Sequence, residues 1–103
     1  MAIQTRIKAS RIEMSDRIKD YIEKKVGMLE KYLGDFPVRC ADFEIEKTTN
    51  HHQKGEIYRA VLNLDVPGEL LRVERTEADL FKAIDKVKDH MAEAIKKYKE
   101  KKR

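Results

Sequence analysis

The sequence predicts an α+β fold in the order β-α-β-β-β-α, with one four-stranded sheet and two helices packed on one of its faces. Three observations predict it. Stretches near Ile3–Ser10, Val38–Thr48 and Tyr58–Val66 alternate apolar with polar side chains, the period of a half-buried strand. Two longer stretches carry apolar residues three and four apart, the period of a helix. A Pro67-Gly68 pair then divides the last strands into a hairpin. The 103 residues fit one domain, 1–103, with a thin core between two layers.

In the first strand Ile3, Thr5, Ile7 and Ala9 point one way and Gln4, Arg6 and Lys8 the other. Ser15 stands at a helix N-cap, with Asp16 in the first turn, where a negative charge suits the helix dipole. Ile18, Ile22, Val26, Leu29 and Leu33 continue as one apolar stripe of a single helix. Gly34 supplies a left-handed end and Pro37 prevents resumption. From about Val38 to Thr48, Ala41, Phe43 and Ile45 face the core while Asp42, Glu44 and Glu46 face water. A polar loop, TTNHHQKG, leads to a strand with Tyr58, Ala60, Leu62, Leu64 and Val66 on one face. Pro67-Gly68 suits the middle of a type II turn, and Leu71 and Val73 lie on the returning strand. Thr76 and Asp79 have capping-box spacing, with Asp in place of Glu or Gln. Leu80, Ile84, Val87, Met91, Ile95 and Tyr98 mark the buried face of the last helix. The opening β-α-β unit makes the first two strands parallel neighbours joined by a right-handed crossover.

Hydrophobic and charged residues each make up 41% of the chain, and the net charge is +4. The charges are mixed in sign and apolar residues are plentiful, which argues for a solvated surface on a folded domain. The segment Lys96–Arg103, KKYKEKKR, holds much of the excess and favours phosphate-bearing partners. Cys40 is the single cysteine, so no internal disulfide forms, as befits a reducing cytosol. No apolar run spans a membrane, and MAIQTRIKAS has no signal-peptide core. A cytoplasmic location with no membrane partner is expected.

Catalytic groups do not converge. His51-His52 lies in the polar loop without a third metal ligand, Cys40 has no partner histidine, and Glu44/Glu46 and Asp85/Asp89 have the spacing of solvated faces. The glycines are isolated and form no phosphate loop. The chain is read as no enzyme, with no cofactor, no metal site and no small-molecule substrate.

The basic residues say more. On a helical wheel of about 100° per residue, Lys86, His90, Lys97 and Lys101 form a stripe beside the apolar face, interrupted by Glu93. On the first helix Arg17, Lys24 and Lys31 share a side, with Lys25 and Met28 nearer the seam beside Tyr21 and Tyr32. With the helices side by side, two basic flanks would border a groove with aromatic edges, an arrangement suited to RNA phosphates. Lys25 and Lys97 are expected to be solvent-accessible. The plainer alternative is that the lysines solubilise amphipathic helices and the tyrosines only pack.

Three segments carry a resemblance. MSDRIKDYIEKKVGMLEKYLGDF is similar to the first helix of the ribosome hibernation promoting factor family, also called ribosome-associated inhibitors and labelled sigma-54 modulation proteins. EADLFKAIDKVKDHMAEAIKKYKEKK resembles its second helix, and DVPGELLRVE the hairpin before it. The resemblance, to the short form, implies a fold like that of double-stranded-RNA-binding domains. It also implies binding to the small ribosomal subunit and its rRNA in the decoding channel, blocking mRNA and tRNA and silencing translation in stress or stationary phase. It places Lys25, Lys97, Lys99 and Lys101 at basic positions of the family. Met28 and Glu93 stand where relatives often have a basic residue, and His90 where Lys or Arg is common; Lys82, Lys86 and Lys88 replace small or apolar residues.

The expected RNA contacts are therefore Lys24, Lys25, Lys31, Lys86, His90, Lys97, Lys99 and Lys101, on a protein that is monomeric when free. The alternatives are a general module for double-stranded or structured RNA, and a regulator acting through a protein partner. The long family form carries a C-terminal dimerisation domain, which a chain ending at Arg103 is expected to lack.

Overall fold

The computed structural model describes residues 3–34, 37–38, 40–49 and 56–101. His51-His52 in the polar loop and the last two basic residues, Lys102 and Arg103, lie outside the described residues.

Four strands, β1 (Thr5–Ser10), β2 (Ala41–Thr49), β3 (Glu56–Val66) and β4 (Glu69–Glu77), form one sheet in chain order. β1 runs parallel to β2, and the other neighbours are antiparallel. The register aligns Ile7, Phe43, Leu62 and Val73 in one row across the sheet. Alternation sends that row toward the helices. β2 starts at Ala41 rather than near Val38, because its partner β1 begins opposite it at Thr5. The Ala41 N–H donates to the Gln4 carbonyl at 2.9 Å.

The crossover after β1 bends at Arg11, whose φ is +60°. Helix α1 (Asp16–Met28) then starts at Ser15, whose hydroxyl accepts from the Ile18 N–H at 3.2 Å. The single helix read through Leu33 is divided. Leu29 is a turn, and a four-residue helix α2 (Glu30–Leu33) follows. The Leu29 N–H reaches back to Val26, three residues away at 3.0 Å, which tightens the chain and leaves Leu29 and Leu33 buried. Gly34 closes α2 with φ +58°.

Between β3 and β4, Gly68 has φ +86°. A preceding proline, fixed near −65°, leaves the type II turn as the fit. The chain order then departs from expectation at one cap. Thr76 is inside β4, paired opposite Arg59, and does not cap the helix. Asp79 itself caps α3 (Leu80–Lys101): its Oδ1 accepts from the Phe81 N–H at 2.9 Å and its carbonyl from the Ala83 N–H at 3.0 Å. Strand pairing through Glu77 outcompetes a cap three residues earlier.

Leu80, Ile84, Val87, Met91, Ile95 and Tyr98 of α3 are buried against the sheet, as the spacing predicts. Ile22, Val26, Leu29 and Leu33 complete the core from the first helical layer. Each such side chain contributes roughly 1.5–3 kcal/mol when fully buried. Val61 is buried too, at 1% exposure, yet it points to the opposite face, between Glu44 and Glu74. Arg59 spans that face, reaching Glu46 at 3.5 Å and Glu74 at 2.9 Å, and Arg72 also holds Glu74. Aliphatic stems of these charged residues can shield Val61 while their heads stay in water. Arg6 and Asp42 form a further pair on the same face at 2.8 Å.

Candidate nucleic-acid interface

The helices lie side by side on the sheet, and the seam between them is lined by rings and cations. At one end Tyr21 and Phe81 meet edge to face, with centroids 4.8 Å apart. The Arg17 guanidinium lies 5.0 Å from the Phe81 ring centre. One helical turn on, Asp85 accepts the Tyr21 hydroxyl at 2.6 Å and pairs with Lys25 Nζ at 3.1 Å. At the other end Lys31 and Lys96 stand 5.2 and 5.3 Å from the Tyr32 ring centre. Lys99 comes close to the backbone at Gly34, where an added Cβ would lie 3.9 Å from Nζ.

The cluster around Asp85 is electrostatically tight. The hydrogen bond to Asp85, with burial second, pushes the Tyr21 phenol up to about 12. Burial pushes Asp85 up, but the hydrogen bonds from Tyr21 and Lys25 outweigh it and hold the carboxyl below its ordinary range. Lys25 therefore ties α1 to α3. Its side chain is 17% exposed, which corrects the expectation of free access. Lys97 is exposed, as expected.

The two basic flanks do not border one groove. Lys86, His90 and Lys101 face the edge strand β4. Lys86 pairs with Glu77 at 2.9 Å, His90 Nδ1 sits 3.0 Å from Arg75 Nη2, and Lys101 reaches Glu69 at 3.7 Å. Arginine carries only donors, so His90 accepts in that contact. Lys97 shares this stripe of the helix. The seam side of α3 is instead the set Phe81, Asp85, Lys88, Ala92, Lys96 and Lys99, stepping by three and four residues. Of its cations, only Lys99 is among the expected contacts. The missed ones, Lys88 and Lys96, lie on the opposite flank of the same wheel, and that stepping was the signal available for them. On the first helical layer Lys24 and Lys31 are exposed, with Lys31 leaning over Tyr32.

The arrangement gathers Arg17, Lys25, Lys31, Lys88, Lys96 and Lys99 along one seam. Asp85 lies within it; Asp89 and Glu93 pair with Lys88 and Lys96. Exposed ion pairs of this kind contribute about 0–1 kcal/mol, so phosphate oxygens can replace the carboxylates at little cost. The opposite sheet face differs, with its arginines engaged by acids of the same face. Among the described residues no three His, Cys, Asp or Glu side chains gather as a metal site requires, and no helix is long and apolar enough to cross a membrane.

Comparison with known proteins places the chain. The family model described as Sigma 54 modulation protein / S30EA ribosomal protein matches residues 5–103. A ribosome hibernation promotion factor from Staphylococcus aureus (strain COL) is 30% identical over 97 residues, covering 94% of this chain and 48% of the relative. One from Lactococcus lactis subsp. cremoris is 31% identical over 97 residues, covering 94% of this chain and 50% of the relative. The chain thus spans about half the length of the curated relatives it matches. The Protein Y N-terminal domain from Thermus thermophilus superposes with a TM-score of 0.72 at 31% identity, over 95% of this chain and 99% of that one. A ribosomal subunit interface protein from Coxiella burnetii shares the fold, with a TM-score of 0.69 at 16% identity over 94% and 98% of the two chains.

Proposed function

Because the chain belongs to the Sigma 54 modulation protein / S30EA ribosomal protein family, we propose that it is a ribosome hibernation factor that binds the small ribosomal subunit in the decoding channel and excludes mRNA and tRNA. The observation that carries this reading is the seam between the helices, where cations surround Tyr21, Phe81 and Tyr32. Rings beside ammonium and guanidinium groups suit a structured RNA surface, offering phosphate contacts and stacking together. The names of the curated relatives support the same process. The compartment of such work is the cytoplasm.

The mechanism is occupancy. Each molecule silences one ribosome by filling a site, with no bond made or broken. Inhibition of cell-free translation should level off near one protein per ribosome. Ribosomes already loaded with mRNA and initiator tRNA should resist. High salt should release the protein and restore activity, because counterions displace phosphate contacts. Titration against a fixed ribosome concentration, followed by a salt wash, tests this. Irreversible inactivation at far below one molecule per ribosome would refute it. Equal binding to a plain RNA duplex and to small subunits would instead favour a general RNA-binding module.

A further inference from the structure

We propose that the cleft at the Asp79 end of the helical layer receives one unstacked guanine base of RNA. This rests on the RNA-binding reading and deepens it by assigning a site outside the lysine set. The cleft is a shallow, open depression of about 480 Å³. Ile12, Ile18 and Leu80 give it apolar surface, the Tyr58 and Phe81 rings stand in its lining, and Asp79 adds a carboxylate. A flat aromatic ligand matches apolar and aromatic walls.

Charge selects which ligand. Arg17 lies 5.0 Å from the centre of Phe81, the ring shared by the cleft and the seam. Its guanidinium group suits a phosphate flanking a base that leaves the stack. Among the lining residues Asp79 supplies a charged acceptor. Asp79 Oδ1 takes the Phe81 N–H at 2.9 Å, and a carboxylate has room for more donors. Guanine is the base whose pairing edge presents two adjacent donors, N1–H and the 2-amino group. Adenine, cytosine and uracil offer a single donor group there, beside an acceptor. Because Phe81 belongs to both places, an RNA backbone lying on the seam can deliver a base to the cleft without leaving the protein.

Fluorescence anisotropy with an RNA hairpin carrying a one-nucleotide bulge tests this, the bulge being guanosine, uridine or abasic. The wild type should bind the guanosine bulge about tenfold or more tightly than the abasic one, as a bidentate contact allows. Asp79→Asn keeps the helix cap, since asparagine caps as well as aspartate. It should erase the guanosine preference and leave abasic affinity unchanged. The methyl resonances of Ile12, Ile18 and Leu80 should shift with the guanosine bulge and stay still with the abasic hairpin. Equal affinity of the wild type for guanosine and abasic bulges overturns the guanine site while leaving seam binding in place. A preference that survives in Asp79→Asn also overturns it. Failure of every hairpin and of small subunits to bind removes the RNA reading and this site together. Self-association abolished by Ile18→Glu would make the cleft a contact between copies, and the proposal would fall.

Discussion

Tyr98 donates its hydroxyl to the Pro67 carbonyl oxygen at 2.6 Å, fastening the end of α3 to the β3–β4 turn 31 residues away in sequence. The ring itself is buried in the core. Tyr98→Phe keeps the ring and removes the donor. The expected result is an unchanged fold with a melting temperature lower by a few degrees, because one hydrogen bond is lost and its acceptor must find water. Thermal unfolding followed by circular dichroism checks it.

Gly68 sits at the other side of the same turn with φ +86°. A β-branched residue there is strained, so Gly68→Val should cost roughly 1–3 kcal/mol. Urea denaturation measures it. An unchanged midpoint would rule out the type II geometry.

Lys25 and Lys31 should separate stability from binding. Lys25→Glu places a carboxylate beside Asp85 in a site where the lysine is 17% exposed. A loss of about 1–3 kcal/mol is expected, in the ordinary range for breaking a partly buried charge network. Lys31→Glu with Lys96→Glu acts at exposed positions over Tyr32. It should leave the melting curve nearly unchanged and weaken co-sedimentation with small subunits, with a shallower salt dependence. Wild-type binding by that double variant would remove the seam from the interface.

The bond between Tyr21 and Asp85 sets a pH window. The Tyr21 phenol, pushed up to about 12 by that bond and by burial, has an unfolded value near 10. A raised folded value means the contribution is complete below about pH 10 and lost as pH climbs through about 12. Asp85 is held low, so its contribution is present above the unfolded value near 3.9 and lost as pH falls through the folded one. The stability difference between wild type and Tyr21→Phe should therefore be flat from about pH 5 to 10 and shrink on both sides. Denaturation midpoints across that range decide it. A difference that persists past pH 12 would show that the stabilisation does not come from the hydroxyl's bond to Asp85.

Most of the fold is legible because two periods carry it. Phe43 and Leu62 announce a strand by alternation, and Ile84, Met91 and Ile95 a helix by spacing. The turn is legible because proline and glycine each constrain one dihedral. What stays hidden is set between elements. The wheel shows that Lys86 and Lys96 flank the same apolar face; it does not say which flank meets β4 and which meets α1. Thr76 and Asp79 both suit a cap, and only the length of the β3–β4 pairing decides between them. Val61 is apolar at an outward position, and its burial depends on how far Arg59 and its acidic partners reach. Lys25 is legible as a cation near the seam, while its engagement by Asp85 needs both helices in place.

The order of strands in the sheet matches their order in the chain, and this bears on how the molecule assembles. β2, β3 and β4 are each paired to a neighbour through a local hairpin, whereas β1 meets β2 only after an intervening crossover closes. Closing that longer loop costs more chain entropy before any contact rewards it. The meander with α3 laid across it is therefore the piece expected to form early, and β1 the strand to join late and leave first. Backbone amides of Arg6 and Lys8, which the parallel register turns toward β2, should exchange with solvent deuterium well before those of Leu62 and Leu64.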